Sequence, residues 1–145
     1  MSFLGAGRLG NRPAQALFLT AVLCVPAAAK PKAPIAPEVL SAQTIFLVNQ
    51  TGDSHLLDAA NDQFLKWGRF TTVKSQDLAD LVVVFTHKIG MDIWGNVSFI
   101  VMDVYVKGQT QIAFESKNAF KNIVAPEYRT EACIDAFRKR LEQKN

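Results

Sequence analysis

The sequence predicts a two-layer α/β (α+β) sandwich: a mixed sheet of about five strands with two helices, in the order β-α-β-β-β-β-α. Three observations carry that prediction. Leu81-Val82-Val83-Val84-Phe85 is an unbroken apolar, β-branched and aromatic run, as in a strand buried on both faces. Two segments, Asp53–Trp67 and Pro126–Leu141, repeat apolar residues at helical spacing. Between them lie further strand-like runs separated by glycine-containing turns. Asp77, Asp80 and Lys88 flank the Leu81–Phe85 run as charged gatekeepers. Such a run on a free edge would promote aggregation, so it belongs at the centre of the sheet.

The chain has 145 residues, enough for one ordinary domain. Hydrophobic residues make up 49% and charged residues 20%, a globular balance. The first 29 residues have the pattern of a secretory signal peptide. Arg8 and Arg12 supply the positive start, Ala14–Val25 the apolar stretch, and Ala27-Ala28-Ala29 the small residues before a cut ahead of Lys30. The apolar stretch is shorter than the ~20 residues of a membrane-spanning helix, so no stable span is expected after cleavage. Leu23, just before Cys24, fits a lipidation site poorly.

Removing the signal leaves 14 Lys and Arg against 13 Asp and Glu, a formal charge of +1. Bulk charge therefore gives no argument for nucleic-acid binding. One cysteine remains, Cys133, so no internal disulfide is expected, despite an oxidising compartment. Residues 30–42 hold Pro31, Pro34 and Pro37 and read as an extended linker. The domain is expected over residues 43–145.

The first strand is Thr44–Val48, closed by a polar turn at Asn49–Asp53. Asp53 or Ser54 is expected to cap a helix running to Trp67, with Leu57, Ala60, Phe64 and Trp67 inward and Gly68 as its stop. Phe70–Val73 is a short strand, followed by a turn at Ser75–Ala79 and then the central strand, continuing to His87. Lys88–Asn96 is expected as a loop. Val97–Val106 is a long strand, with a turn near Gly108 and a last strand at Gln111–Ser116, whose alternation suits an edge. Pro126 fits the first turn of the last helix, with Cys133, Ile134, Phe137 and Leu141 inward. Its acidic residues come early and its basic residues late, which complements the helix dipole.

Motifs that carry chemistry are few. His55 and His87, the two histidines, stand at no metal-ligand spacing, and neither a metal nor a cofactor is expected. Gly90 and Gly95 do not lie between a strand and a helix start, so they form no phosphate loop. The bulky Met91, Ile93 and Trp94 between them are expected to pack back onto the sheet, with a partner-binding tip as the alternative. Cys133 on an apolar helix face reads as a buried structural thiol. The alternative reading is an enzyme of unrecognised type using Asp103, Asp92 or His87; of these, Asp103 stands out as a charge inside an apolar strand, for which exposure to solvent or to a lysine is the plain account.

The long strand is apolar on both sides. Ile100, Met102, Val104 and Val106 share one face; Val97, Phe99, Val101 and Tyr105 share the other, with Asp103. Two helices cover one face of a sheet. The other face is then expected to meet a protein partner or a second copy of the chain, with Trp94, Phe99, Val101 and Tyr105 as the binding residues. A fold-back of Ile35, Val39 and Leu40 is the alternative cover.

Several features together resemble small exported bacterial proteins sharing the α/β domain of the TolB amino terminus and of curli-secretion and lipoprotein-activator envelope proteins. They are Ile45-Phe46-Leu47 with its polar turn, the Lys66-Trp67-Gly68-Arg69-Phe70 step, Ala79-Asp80-Leu81-Val82-Val83, the meander turning at Gly108, and the basic last helix. The resemblance spans about Thr44 to Leu141. It implies a non-enzymatic binding or adaptor domain in the periplasm or secreted beyond it, and supplies no catalytic residue. The chain departs from these relatives in lacking a convincing lipid-attachment cysteine and a second domain.

Overall fold

The computed structural model describes residues 34–93, 95–120 and 126–143, with backbone only for Asp92, Phe120 and residues 126–128. The expected signal segment, residues 30–33 and Trp94 lie outside the described residues.

A five-stranded mixed sheet forms one layer and the helices form the other. The elements are α1 (Pro37–Ser41), β1 (Thr44–Gln50), α2 (Leu56–Trp67), β2 (Thr71–Thr72), a 3-10 turn (Gln76–Leu78), β3 (Leu81–Asp92), β4 (Gly95–Val106), β5 (Ile112–Phe120) and α3 (Pro126–Glu142). Strand order is β2-β1-β3-β4-β5, with β1 parallel to both its neighbours and β3, β4 and β5 antiparallel. The apolar run Leu81–Phe85 therefore occupies the central strand. β1 registers on it from Ile45 opposite Leu81 to Gln50 opposite Thr86.

Strand alternation assigns the two faces. Ile45, Leu81, Val83, Phe85, Ile100, Met102, Val104 and Val106 join Leu56, Ala60, Phe64, Cys133, Ile134 and Phe137 in one buried cluster. An aromatic group ties its helices together: Phe137 lies 4.9 Å from Phe114, 5.8 Å from Trp67 and 6.0 Å from Phe70, centroid to centroid. Gly68 ends α2 with φ +72°, a left-handed turn that suits glycine.

Four details differ from the sequence reading. Pro37 opens α1, where proline's fixed φ and missing N–H are harmless. Val39 and Ala42 then join the core and Ile35 packs against it, so the latter half of the expected linker belongs to the folded body. These residues pack with the helices, on the side opposite to the fold-back considered above. Leu56, one turn before the expected Ala60 and Phe64 on the same stripe, replaces Leu57 as the first fully buried residue of α2. The short strand is only Thr71–Thr72, since Phe70 turns into the aromatic group.

The fourth difference is the largest. The expected Lys88–Asn96 loop is mostly strand: β3 and β4 stay paired out to Asp92 opposite Gly95, forming a 12-on-12-residue hairpin. β5 likewise extends to Phe120, past the expected Ser116.

Candidate functional site: the second face of the sheet

The side of the sheet away from the helices carries Phe46 and Val48 of β1, Val82, Val84 and Thr86 of β3, Val97, Phe99, Val101, Asp103 and Tyr105 of β4, and Glu115 and Lys117 of β5. The buried side chains of all three helices fall in the cluster on the opposite face. Phe46, Val48, Val84, Phe99 and Tyr105 are half-buried, leaving apolar and aromatic surface open.

Phe99 is held on two sides. Its ring lies against Gly90, where a Cβ would stand 2.8 Å from Phe99 Cε2, so a side chain at this position would have to displace the ring. Lys117 Nζ sits 3.8 Å from the ring centroid, a cation–π contact from the neighbouring strand. Tyr105 and Val101 flank Asp103 on the same strand face, and Val101 is fully buried.

Asp103 is 6% exposed, so of the two expected accounts, solvent or a lysine, it does not face solvent, while Lys88 lies near enough to act on its charge. Its cross-strand neighbours are Val84 and Glu115, and no hydrogen bond reaches its Oδ1. Burial raises its pKa above the ordinary carboxylate value; Lys88 opposes the rise and Glu115 adds to it. Thr86 Oγ1, one step away on β3, is also buried without a hydrogen-bond partner. The centre of this face thus holds two buried polar atoms without hydrogen-bond partners, Asp103 Oδ1 and Thr86 Oγ1.

The three candidates of the enzyme reading do not come together. Alternation puts His87 on the helix side of β3, with Val83 and Phe85, and Asp103 on the other. Asp92 lies at the hairpin end, eight positions along β3 from Asp103's partner Val84, roughly 27 Å by strand rise. Cys133 is fully buried; its Sγ lies 3.6 Å from the Ile100 carbonyl oxygen and 3.8 Å from that of Ser116, and burial raises the thiol's pKa. It is a packing residue. Among the described residues, no group of three or more His, Cys, Asp or Glu is placed to hold a metal, and no helix is long and apolar enough to cross a membrane.

Sequence reasoning missed two features. One is Asp80, whose Oδ2 accepts bonds of 2.9 Å from Gln43 N, Thr44 N and Thr44 Oγ1. These backbone and hydroxyl bonds lower its pKa and pin the start of β1 to the start of β3. A carboxylate immediately before a strand was the available signal. The same residue borders a shallow polar pocket of about 220 Å³, with Glu38, Ser41, Ala42, Val106 and Lys107. The other is the exposure of the hairpin end: Met91 and Ile93 do not pack back onto the sheet as expected but are 83% and 89% exposed, with Ile89 70% exposed beside them.

No family model matches the chain, and no curated protein matches it. Among solved structures it is similar to TolB from Acinetobacter baumannii, with TM-score 0.51 and 15% identity over 70% of this chain. The match spans 28% of the TolB chain. It is also similar to the PelC dodecamer from Paraburkholderia phytofirmans, with TM-score 0.48 and 8% identity, over 78% of this chain and 96% of that one. Lipoprotein GNA1162 from Neisseria meningitidis matches 70% of this chain and 99% of its own, with TM-score 0.34 and 10% identity. At these identities the likeness to TolB is one of fold: the chain has the α/β architecture found within that protein.

Proposed function

We propose that the chain is a non-enzymatic binding or adaptor domain of the bacterial cell envelope, exported by its N-terminal signal and working through the second face of its sheet. The observation that carries the reading is the two-sidedness of β3 and β4. Helix-side Leu81, Val83, Phe85, Ile100, Met102, Val104 and Val106 are consumed by the core, while on the other face Phe99, Tyr105 and Val84, with Phe46 of β1, remain as a half-open aromatic and aliphatic patch. A protein partner would bury this patch. The fold shared with part of TolB is compatible with an envelope setting, and the signal-like first 29 residues supply the route there.

The experiment is affinity capture from the native envelope with the exported chain, beside Phe99→Lys and Tyr105→Glu variants. Partners retained by the wild type and lost by both folded variants support the reading. Identical capture by all three overturns it. Export has its own test: mass spectrometry of the envelope fraction should find Lys30 at the N-terminus, and an intact Met1 contradicts it.

A further inference from the structure

β5 forms one edge of the sheet. It runs nine residues, against two for β2 at the other edge. One flank pairs with β4; among the described residues no strand pairs with the other. An edge this long presents a row of backbone N–H and C=O groups to any strand that can add to it. Natural edges are blunted by charge, and β5 does carry Glu115 and Lys117. Their arrangement is unusual, because the segment Phe114-Glu115-Ser116-Lys117-Asn118 reverses its charge about Ser116.

We propose that β5 is a self-pairing edge, at which two copies of the chain join antiparallel about Ser116 into one continuous ten-stranded sheet. Centring on Ser116 sets Glu115 of each copy opposite Lys117 of the other. Both residues lie on the second face, opposite Asp103 and Val101 of their own β4, and both are exposed. The two-fold axis therefore makes both cross-strand pairs attractive at once. A register shifted by two residues in either direction would lose both pairs and set Lys117 opposite Lys117 or Glu115 opposite Glu115, so charge selects the register as well as the partner. The pairing also joins residues of like parity, 115 with 117 and 114 with 118, which is what lets outward backbone groups on two antiparallel strands meet. Lys117 is already fixed on this face by its contact with Phe99, which limits the ordering that pairing requires.

The contact is isologous and closed, so it ends at a dimer and does not grow into a fibre. It leaves the second face uncovered and places two copies of it side by side. It therefore stands independently of the binding role proposed above, and dimerisation could fail while partner capture survives.

The test is sedimentation velocity on the purified exported chain up to on the order of 100 μM, with Glu115→Lys, Lys117→Glu and the double exchange. Both positions are exposed, and circular dichroism with thermal unfolding checks that each variant is folded. The wild type should dimerise. Each single variant faces like charge at both pairs and should associate about tenfold more weakly or less. Mixing the two single variants one to one should restore dimers, because one copy then carries only positive charge at the two positions and the other only negative. The double exchange should dimerise like the wild type. A wild type that stays monomeric overturns the proposal, as does association unchanged by the single variants or not restored by mixing. A dimer lost on Phe99→Lys but insensitive to the charge exchanges would place the contact on the sheet face and overturn it equally.

Discussion

The two faces of this sheet are built from the same strands and nearly the same residue types, yet they end in different states. On the helix side, Val83, Phe85, Met102 and Val104 are fully enclosed by α2 and α3. On the other side, Val84, Phe99 and Tyr105 are half-buried around a carboxylate that no hydrogen bond satisfies at Oδ1. A residue's neighbour along a strand can therefore belong to a different energetic regime. The helix-side core holds the fold; the other face, around its buried Val82, Val97 and Val101, retains half-open apolar area for something else.

That contrast is broken most severely by a charge on the enclosed face. Val83→Asp places an unpaired carboxylate in the core, a loss of several kcal/mol that approaches the ~5–15 kcal/mol a domain holds. Circular dichroism should find it unfolded. Phe99→Lys on the other face should unfold within about 1 kcal/mol of the wild type. Equal loss from both would erase the distinction between the faces.

Next in size is Phe137→Ala. The ring is fully buried against Trp67, Phe70 and Phe114, so urea unfolding should show about 3–5 kcal/mol of destabilisation.

Asp103→Asn should move stability the other way. Because the carboxyl's folded pKa is raised above the ordinary 3.8, holding it charged opposes folding as pH rises above that value. The amide removes that opposition, so the variant should melt higher than the wild type at neutral pH. Below pH 3.8 both states carry a protonated acid and the gain should vanish. Thermal unfolding at the two pH values reads the difference.

The smallest effect concerns Asp80, exposed and hydrogen-bonded. Its folded pKa is depressed below 3.8, so its contribution is present above that pH and is lost as pH falls through the folded value. Asp80→Asn should be less stable than the wild type at neutral pH, with the gap closing in acid. A pH-independent gap would assign the effect to lost hydrogen-bond geometry alone.

How much was legible in the sequence follows the same division. β3 was readable because a run apolar on both faces leaves little choice but the centre of a sheet. The inward stripe of α3 was readable from its period. The hairpin end was not, because Gly90, Met91 and Asp92 are weak strand formers and a two-glycine bracket reads as a loop. Backbone pairing with β4, and Phe99 lying over Gly90, override that propensity. Lys117 and Asn118 hid the end of β5, since an edge strand tolerates polar residues that a central one would not. α1 was masked by its prolines, although Pro37 stands where a helix accepts one. For the site, Phe99, Val101, Tyr105 and the face shared with Asp103 could be read from alternation alone. The burial of Asp103 could not, because it depends on which side chains of β3 and β5 lie beside it.

The most direct test of the account is site-specific photo-crosslinking in the native envelope. A photoreactive phenylalanine analogue is placed at Phe99, at Tyr105, and at Leu65, which is 61% exposed on α2 behind the covered face. The account predicts discrete adducts from Phe99 and Tyr105 and none from Leu65. Adducts from Leu65 alone, or equally from all three positions, would contradict the claim that the second face of the sheet is where this protein meets its partner.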